Sequence, residues 1–259
     1  MPAPPKHTAG MPLPLSRIAF VQAIIAGCLG LIFCVVASLA DDDDSSPQPR
    51  IEHQLREVEG WTVHVDARLL DGESKQLGDL ALRVLGNKLY EIATILPEAR
   101  VHDLRAVPIW LDLDHRLAAM QYHPSAGWLE GHGYDPAMAK AVHIPQAERF
   151  VRLAQTNHQP SVVLHELAHA YHDRVLGFDH RPIVEEYRRV VKEGLFESTL
   201  HIKGRKTRHY ALTDHKEYFA EMTECYFGAN DFYPFVRAEL KDCDPGTFAL
   251  LETIWGPLP

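Results

Sequence analysis

Ser161–Asp173 reads S-V-V-L-H-E-L-A-H-A-Y-H-D and contains H-E-x-x-H as His165, Glu166 and His169. Residues four apart on a helix share a face, so His165 and His169 can occupy two corners of one metal tetrahedron. Glu166, one step round, then lies beside a metal-held water, where a carboxylate serves as general base. The flanks agree with a helix. Pro160 suits a first helical position, the run from Val162 to Val175 is apolar on one side, and Gly177 is a natural stop.

A catalytic zinc needs a third protein ligand and leaves a fourth position to water. A second ligand-bearing stretch follows at Asp214–Glu221, D-H-K-E-Y-F-A-E. Asp214 is a good N-cap, and Glu217 completes a capping-box-like D-x-x-E. Glu217 and Glu221 are four apart, so one can bind the metal while the other holds a ligand histidine through its free ring nitrogen. The compact alternative, a third histidine six residues after His169, is ruled out because Val175 stands there. Tyr210 carries a phenol able to donate to the oxyanion formed when water attacks a carbonyl.

H-E-L-A-H, Tyr210 and E-Y-F-A-E together resemble the catalytic domain of anthrax lethal factor and its relatives, a gluzincin family of zinc peptidases. The resemblance covers about 161–227 and implies Zn2+ on His165, His169 and Glu217. It further implies that Glu221 supports a ligand histidine and that Tyr210 assists catalysis with Glu166. Toxin activity and a kinase substrate are not implied, because the chain has no room for a carrier-binding domain.

The surrounding chain sets the class. Ile18 to Ala40 is an uncharged apolar run, preceded by Lys6 and Arg17 and followed by Asp41 to Asp44. It reads as a signal peptide with Ser38 and Ala40 in the small-residue pattern, or as an uncleaved signal anchor; Cys28 also ends a lipoprotein-like box. Either way the remainder is expected outside the cytoplasm, secreted or held at the membrane through residues 18–40. Asp41–Arg50 reads as an acidic linker. With 26 basic against 35 acidic residues the chain carries −9, which speaks against nucleic acid or an anionic membrane surface as partner. Cys225 and Cys243 fit one disulfide or two core thiols equally.

The folded part is expected from Ile51 onward as one α+β domain of the zincin-like kind, with a small mixed-sheet lobe, an active-site helix and a helical C-terminal lobe. Strands are expected at Trp61–Val65, Val107–Leu113 and Ala141–Pro145, and helices over Leu77–Leu96 and Pro182–Glu193. Ala118–Gly133 reads as a loop or hairpin near the site. Ser198–Ile202 and Thr207–Leu212 read as a hairpin or two extended arms, the Asp214 helix as ending at Gly228, and Phe232–Trp255 as one or two short helices closing the core. His123, His132 and His143 lie before the site and read as cleft lining or polar surface. His172 and His215 read as close to the metal or solvent-facing. Tyr218, Phe219, Phe227 and Cys225 read as core. The parts predict hydrolysis of peptide or protein substrates, with an extended substrate pairing to the Ala141–Pro145 strand. A non-catalytic zinc-containing binding module and a hydrolase of non-peptide bonds are the competing classes.

Overall fold

The computed structural model describes residues 51–257, and the expected export segment and acidic linker lie outside them. The described chain is mixed α/β, in keeping with an α+β fold. Strands β1 (His53–Val58), β2 (Trp61–Asp66), β3 (Ile109–Leu111), β4 (Gln121–Tyr122) and β5 (Val142–Ile144) form one sheet in the order β1-β2-β3-β5-β4. β2, β3 and β5 run parallel, while β1 and β4 pair antiparallel at the two edges. β3, read from sequence as central, is the middle strand.

Alternation along the strands divides the sheet into two faces. Val63, Ile109 and Val142 lie in register, as do Val65, Leu111 and Ile144, and all six are buried in the main core. The residues between them, His64, Trp110 and His143, form a polar and aromatic row on the other face. The apolar face is covered first by helix α1 (Lys75–Ile95), whose Ala81, Leu85, Leu89 and Ile92 follow a helical stripe. Neither end of α1 carries a side-chain cap, so the stripe is what holds it. Each buried leucine contributes about 1.5–3 kcal/mol. Gly78 sits where a Cβ would meet the Leu69 carbonyl oxygen at 1.9 Å, so only glycine lets α1 approach the turn after β2.

Three elements have no counterpart in the sequence reading: β1, α2 (Glu98–Arg105) and α4 (Ala147–Thr156). The expected loop over Ala118–Gly133 contains β4 and helix α3 (Ala126–Gly131). Helix α5 (Val162–Tyr171) starts two residues later than Pro160 suggests. Ser161 precedes it, with its Oγ bonded to the Ala229 carbonyl at 2.8 Å. α5 is buried on nearly every side rather than on one. It continues into a wider π turn over His172–Leu176, stopped by Gly177 at φ +78°.

Helix α6 (Arg181–Glu193) precedes a short hairpin, β6 (Thr199–Leu200) with β7 (Lys206–Thr207), and a 3-10 turn over Tyr210–Leu212. Helix α7 (His215–Phe227) packs against α5. α8 (Arg237–Cys243) and α9 (Pro245–Trp255) close the core with Leu240, Leu251 and Trp255. Cys225 and Cys243 are free thiols. Among the described residues no helix is long and apolar enough to cross a membrane.

Candidate metal centre

α5 and α7 bring the two motifs together. Asp214 caps α7 by accepting from the backbone N–H of Lys216 at 2.7 Å and of Glu217 at 3.0 Å. The reciprocal half of the expected capping box is absent, because the Glu217 carboxylate turns toward α5 instead. Its Oε2 lies 3.2 Å from Nε2 of His165 and 3.3 Å from Nε2 of His169, and the two Nε2 atoms are 3.1 Å apart. These three separations form a nearly equilateral triangle. Ligands bonded at about 2.0–2.1 Å to one tetrahedral ion are about 3.3 Å from each other. His165, His169 and Glu217 are therefore spaced to hold a metal ion, as their grouping within one 4.8 Å cluster also indicates.

The remaining groups are set around that triangle. Nδ1 of His165 lies 2.6 Å from Oε1 of Glu224; donating there, it would leave Nε2 to bind a metal ion. Glu221, expected to hold a ligand histidine, is 3.7 Å from the same nitrogen. Its own hydrogen bonds come from Nδ2 of Asn230, to the backbone carbonyl at 2.7 Å and to Oε2 at 3.0 Å. The histidine-supporting contact is thus made by Glu224, a residue the motif did not point to. Glu217, Glu221 and Glu224 follow i, i+4, i+7 along one face of α7, and that stripe is the sequence signal for it.

Electrostatics separate the four carboxyls. Burial works to raise Glu217, but the hydrogen bonds of His165 and His169 hold it well below the usual carboxylate range. Burial, reinforced by neighbouring Glu224, raises Glu221 well above that range, and burial raises Glu224 as well, against the hydrogen bond of His165. Burial also raises Glu166, against the opposing pull of His165 and His169. Oε2 of Glu166 accepts the backbone N–H of Tyr122 at 2.8 Å, so edge strand β4 sets the direction of this carboxylate. Burial and then Glu217 raise the Tyr210 phenol, which keeps its proton at neutral pH.

All of these side chains open on a cleft of about 460 Å³, lined on one wall by Ala119–Tyr122 and on the other by Tyr210 and Glu217. Arg149 and Leu153 line both this cleft and an adjoining hollow. β5 is not an edge: β3 and β4 occupy its two sides, so the expected pairing of a substrate with Ala141–Pro145 is excluded.

The other candidate histidines lie elsewhere. His143 belongs to the opposite face of the sheet, beside His123, and His132 is exposed and stacked on Trp128. His172 is fully buried rather than solvent-facing, in edge contact with Phe178 and Phe219. His215 bonds the Phe178 carbonyl at 2.9 Å. Tyr218, Phe219 and Cys225 are core, and Phe227 packs against it half-buried. Compared with known proteins, the chain matches no family model, no curated protein and no solved structure.

Proposed function

We propose that the protein is a zinc metallopeptidase of zincin-like architecture, resembling the lethal factor catalytic domain in its site. The observation that carries this reading is the triangle of His165, His169 and Glu217 with Glu166 directed into the same cleft. Two imidazoles and one carboxylate suit zinc, and three protein ligands are the set used where one position is left for water. Zinc held there supplies Lewis acidity, lowering the pKa of a coordinated water toward about 7.

The chain's own groups supply the rest. Glu166, fixed by the Tyr122 N–H, accepts a proton from the attacking water and delivers it to the leaving amine. Its raised pKa brings it closer to a balance between the two tasks. Tyr210 donates its phenolic proton in a hydrogen bond to the developing oxyanion. Glu224 fixes the His165 ring and its tautomer. A structural zinc site would need neither Glu166 nor Tyr210, which favours catalysis over a binding module.

An extended peptide would lie along the outer edge of β4, which borders the cleft and has no strand partner among the described residues, in place of β5. The apolar N-terminal run with its acidic follower supports an exported enzyme. The test is a substrate panel of matched peptides and esters assayed with and without a chelator. Chelator-sensitive amide hydrolysis is expected. Esterase activity alone would replace the peptidase with a hydrolase of another bond.

A further inference from the structure

Histidines also gather on the sheet face turned away from α5. Asp112, directly after β3, is 1% exposed, and His143, in the middle of β5, is fully buried. Oδ2 of Asp112 lies 2.8 Å from Nε2 of His143. Oδ1 of Asp112 lies 2.6 Å from Nε2 of His53, and Nδ1 of His143 lies 3.2 Å from Nε2 of His123. His115, 7% exposed, sets its ring edge-on to His143 with centroids 4.7 Å apart. One ligand atom from each of Asp112, His115 and His143 falls within 4.8 Å of the others.

This arrangement parallels the surroundings of His165 in part, with a second histidine, His123, in the place of the carboxylate. There, one ring nitrogen faces the other ligands and the second is held by a carboxylate. Here, with an ion on Nε2 of His143 and Oδ2 of Asp112, the outward atoms of both ligands already have partners. Nδ1–H of His143 donates to His123, and Nε2–H of His53 donates to Oδ1 of Asp112. His143 and His123 change only tautomers, and no proton leaves either ring. His115 is the ligand that rearranges: its Nδ1 now accepts the Leu117 N–H at 3.1 Å, and coordination replaces that one bond.

The position gives such an ion work to do. Residues 113–141 connect β3 to β5 with only β4, α3 and a 3-10 turn of regular structure. The buried cluster beneath them is Trp110, Leu129, Met138 and Ala141. Tyr122 of the same segment joins the main core, so an ion here would add a second anchor beside a small cluster. The segment matters to the cleft, because its β4 supplies the N–H that orients Glu166.

We propose that Asp112, His115 and His143 form a second, structural metal site that takes a divalent transition ion such as zinc. It braces residues 113–141 against β3 and β5. The proposal is independent of the peptidase reading, since the two sites lie on opposite faces of the sheet.

The test is metal stoichiometry by inductively coupled plasma mass spectrometry on full-length protein saturated with zinc and desalted. Two equivalents are expected for the wild type. One is expected for His165→Ala/His169→Ala, which leaves the proposed site untouched, and one for His115→Gln/His143→Gln. Asp112→Asn, which preserves volume, is expected to lose the same equivalent while circular dichroism reports a folded chain. A single wild-type equivalent that disappears in His165→Ala/His169→Ala would overturn the proposal. So would two equivalents retained in His115→Gln/His143→Gln. The cluster would then be a hydrogen-bonded His–Asp–His network alone.

Discussion

Nδ1 of His165 and Oε1 of Glu224 are 2.6 Å apart across the α5–α7 contact, so α7 supplies both the carboxylate that holds the ring and Glu217, which is spaced to share a metal ion with it. Removing such a support typically lowers metal affinity about 10–100-fold. Glu224→Gln is therefore expected to weaken zinc binding by that order in a competitive chelator titration. Glu221→Gln is expected to weaken it less, because Glu221 stands 3.7 Å from that ring nitrogen and an amide oxygen can still accept from Asn230. Equal losses in the two variants would return the supporting role to Glu221.

Tyr210 is 48% exposed at the mouth of the cleft and makes no hydrogen bond through its hydroxyl to any described residue. A phenol placed to serve an oxyanion acts only as charge develops. Tyr210→Phe is expected to lower kcat by about 10²–10³-fold with zinc content and KM little changed. A rise in KM at unchanged kcat would make it a substrate-binding group instead.

His172 is fully buried, and neither ring nitrogen has a hydrogen-bond partner among the described residues. Burial, followed by nearby His215, lowers its pKa to about 3. Because the unfolded chain binds a proton near pH 6.5 and the folded ring does not, stability is lost as pH falls from 6.5 toward 3. His172→Phe removes two unsatisfied polar atoms and this titration together. Urea melts are expected to show a gain at pH 7, on the order of 1–3 kcal/mol, that widens at pH 5. A gain that narrows at pH 5 would contradict the assignment.

How much of this was legible depends on the range over which each signal acts. α5 and α7 were readable because helical spacing, the Asp214 cap and the Gly177 stop are local. β1 was not, since H-Q-L-R-E-V is an edge strand with four exposed residues and no apolar alternation. α2 has little amphipathic pattern, whereas α4 does carry one in Ala147, Phe150 and Val151. The pairing of β5 on both sides depends on strand order, which no short stretch encodes. The same holds for Asp112 and His143, neighbours only because β3 and β5 run side by side. The Glu217–Glu221 motif points to the face of α7 that meets His165, and only the packing of α5 sets Glu224 rather than Glu221 beside that ring.

On the function proposed above, Glu166 activates water beside a metal held by His165, His169 and Glu217. The most direct test is to incubate the purified protein with a diverse peptide mixture and find new termini by mass spectrometry, alongside Glu166→Gln. Cleavage by the wild type is expected, abolished by a chelator and restored by zinc. No cleavage is expected from Glu166→Gln, with the zinc bound at the His165, His169 and Glu217 site unchanged. Cleavage that persists in Glu166→Gln, or no zinc bound at that site in the wild type, would contradict that function.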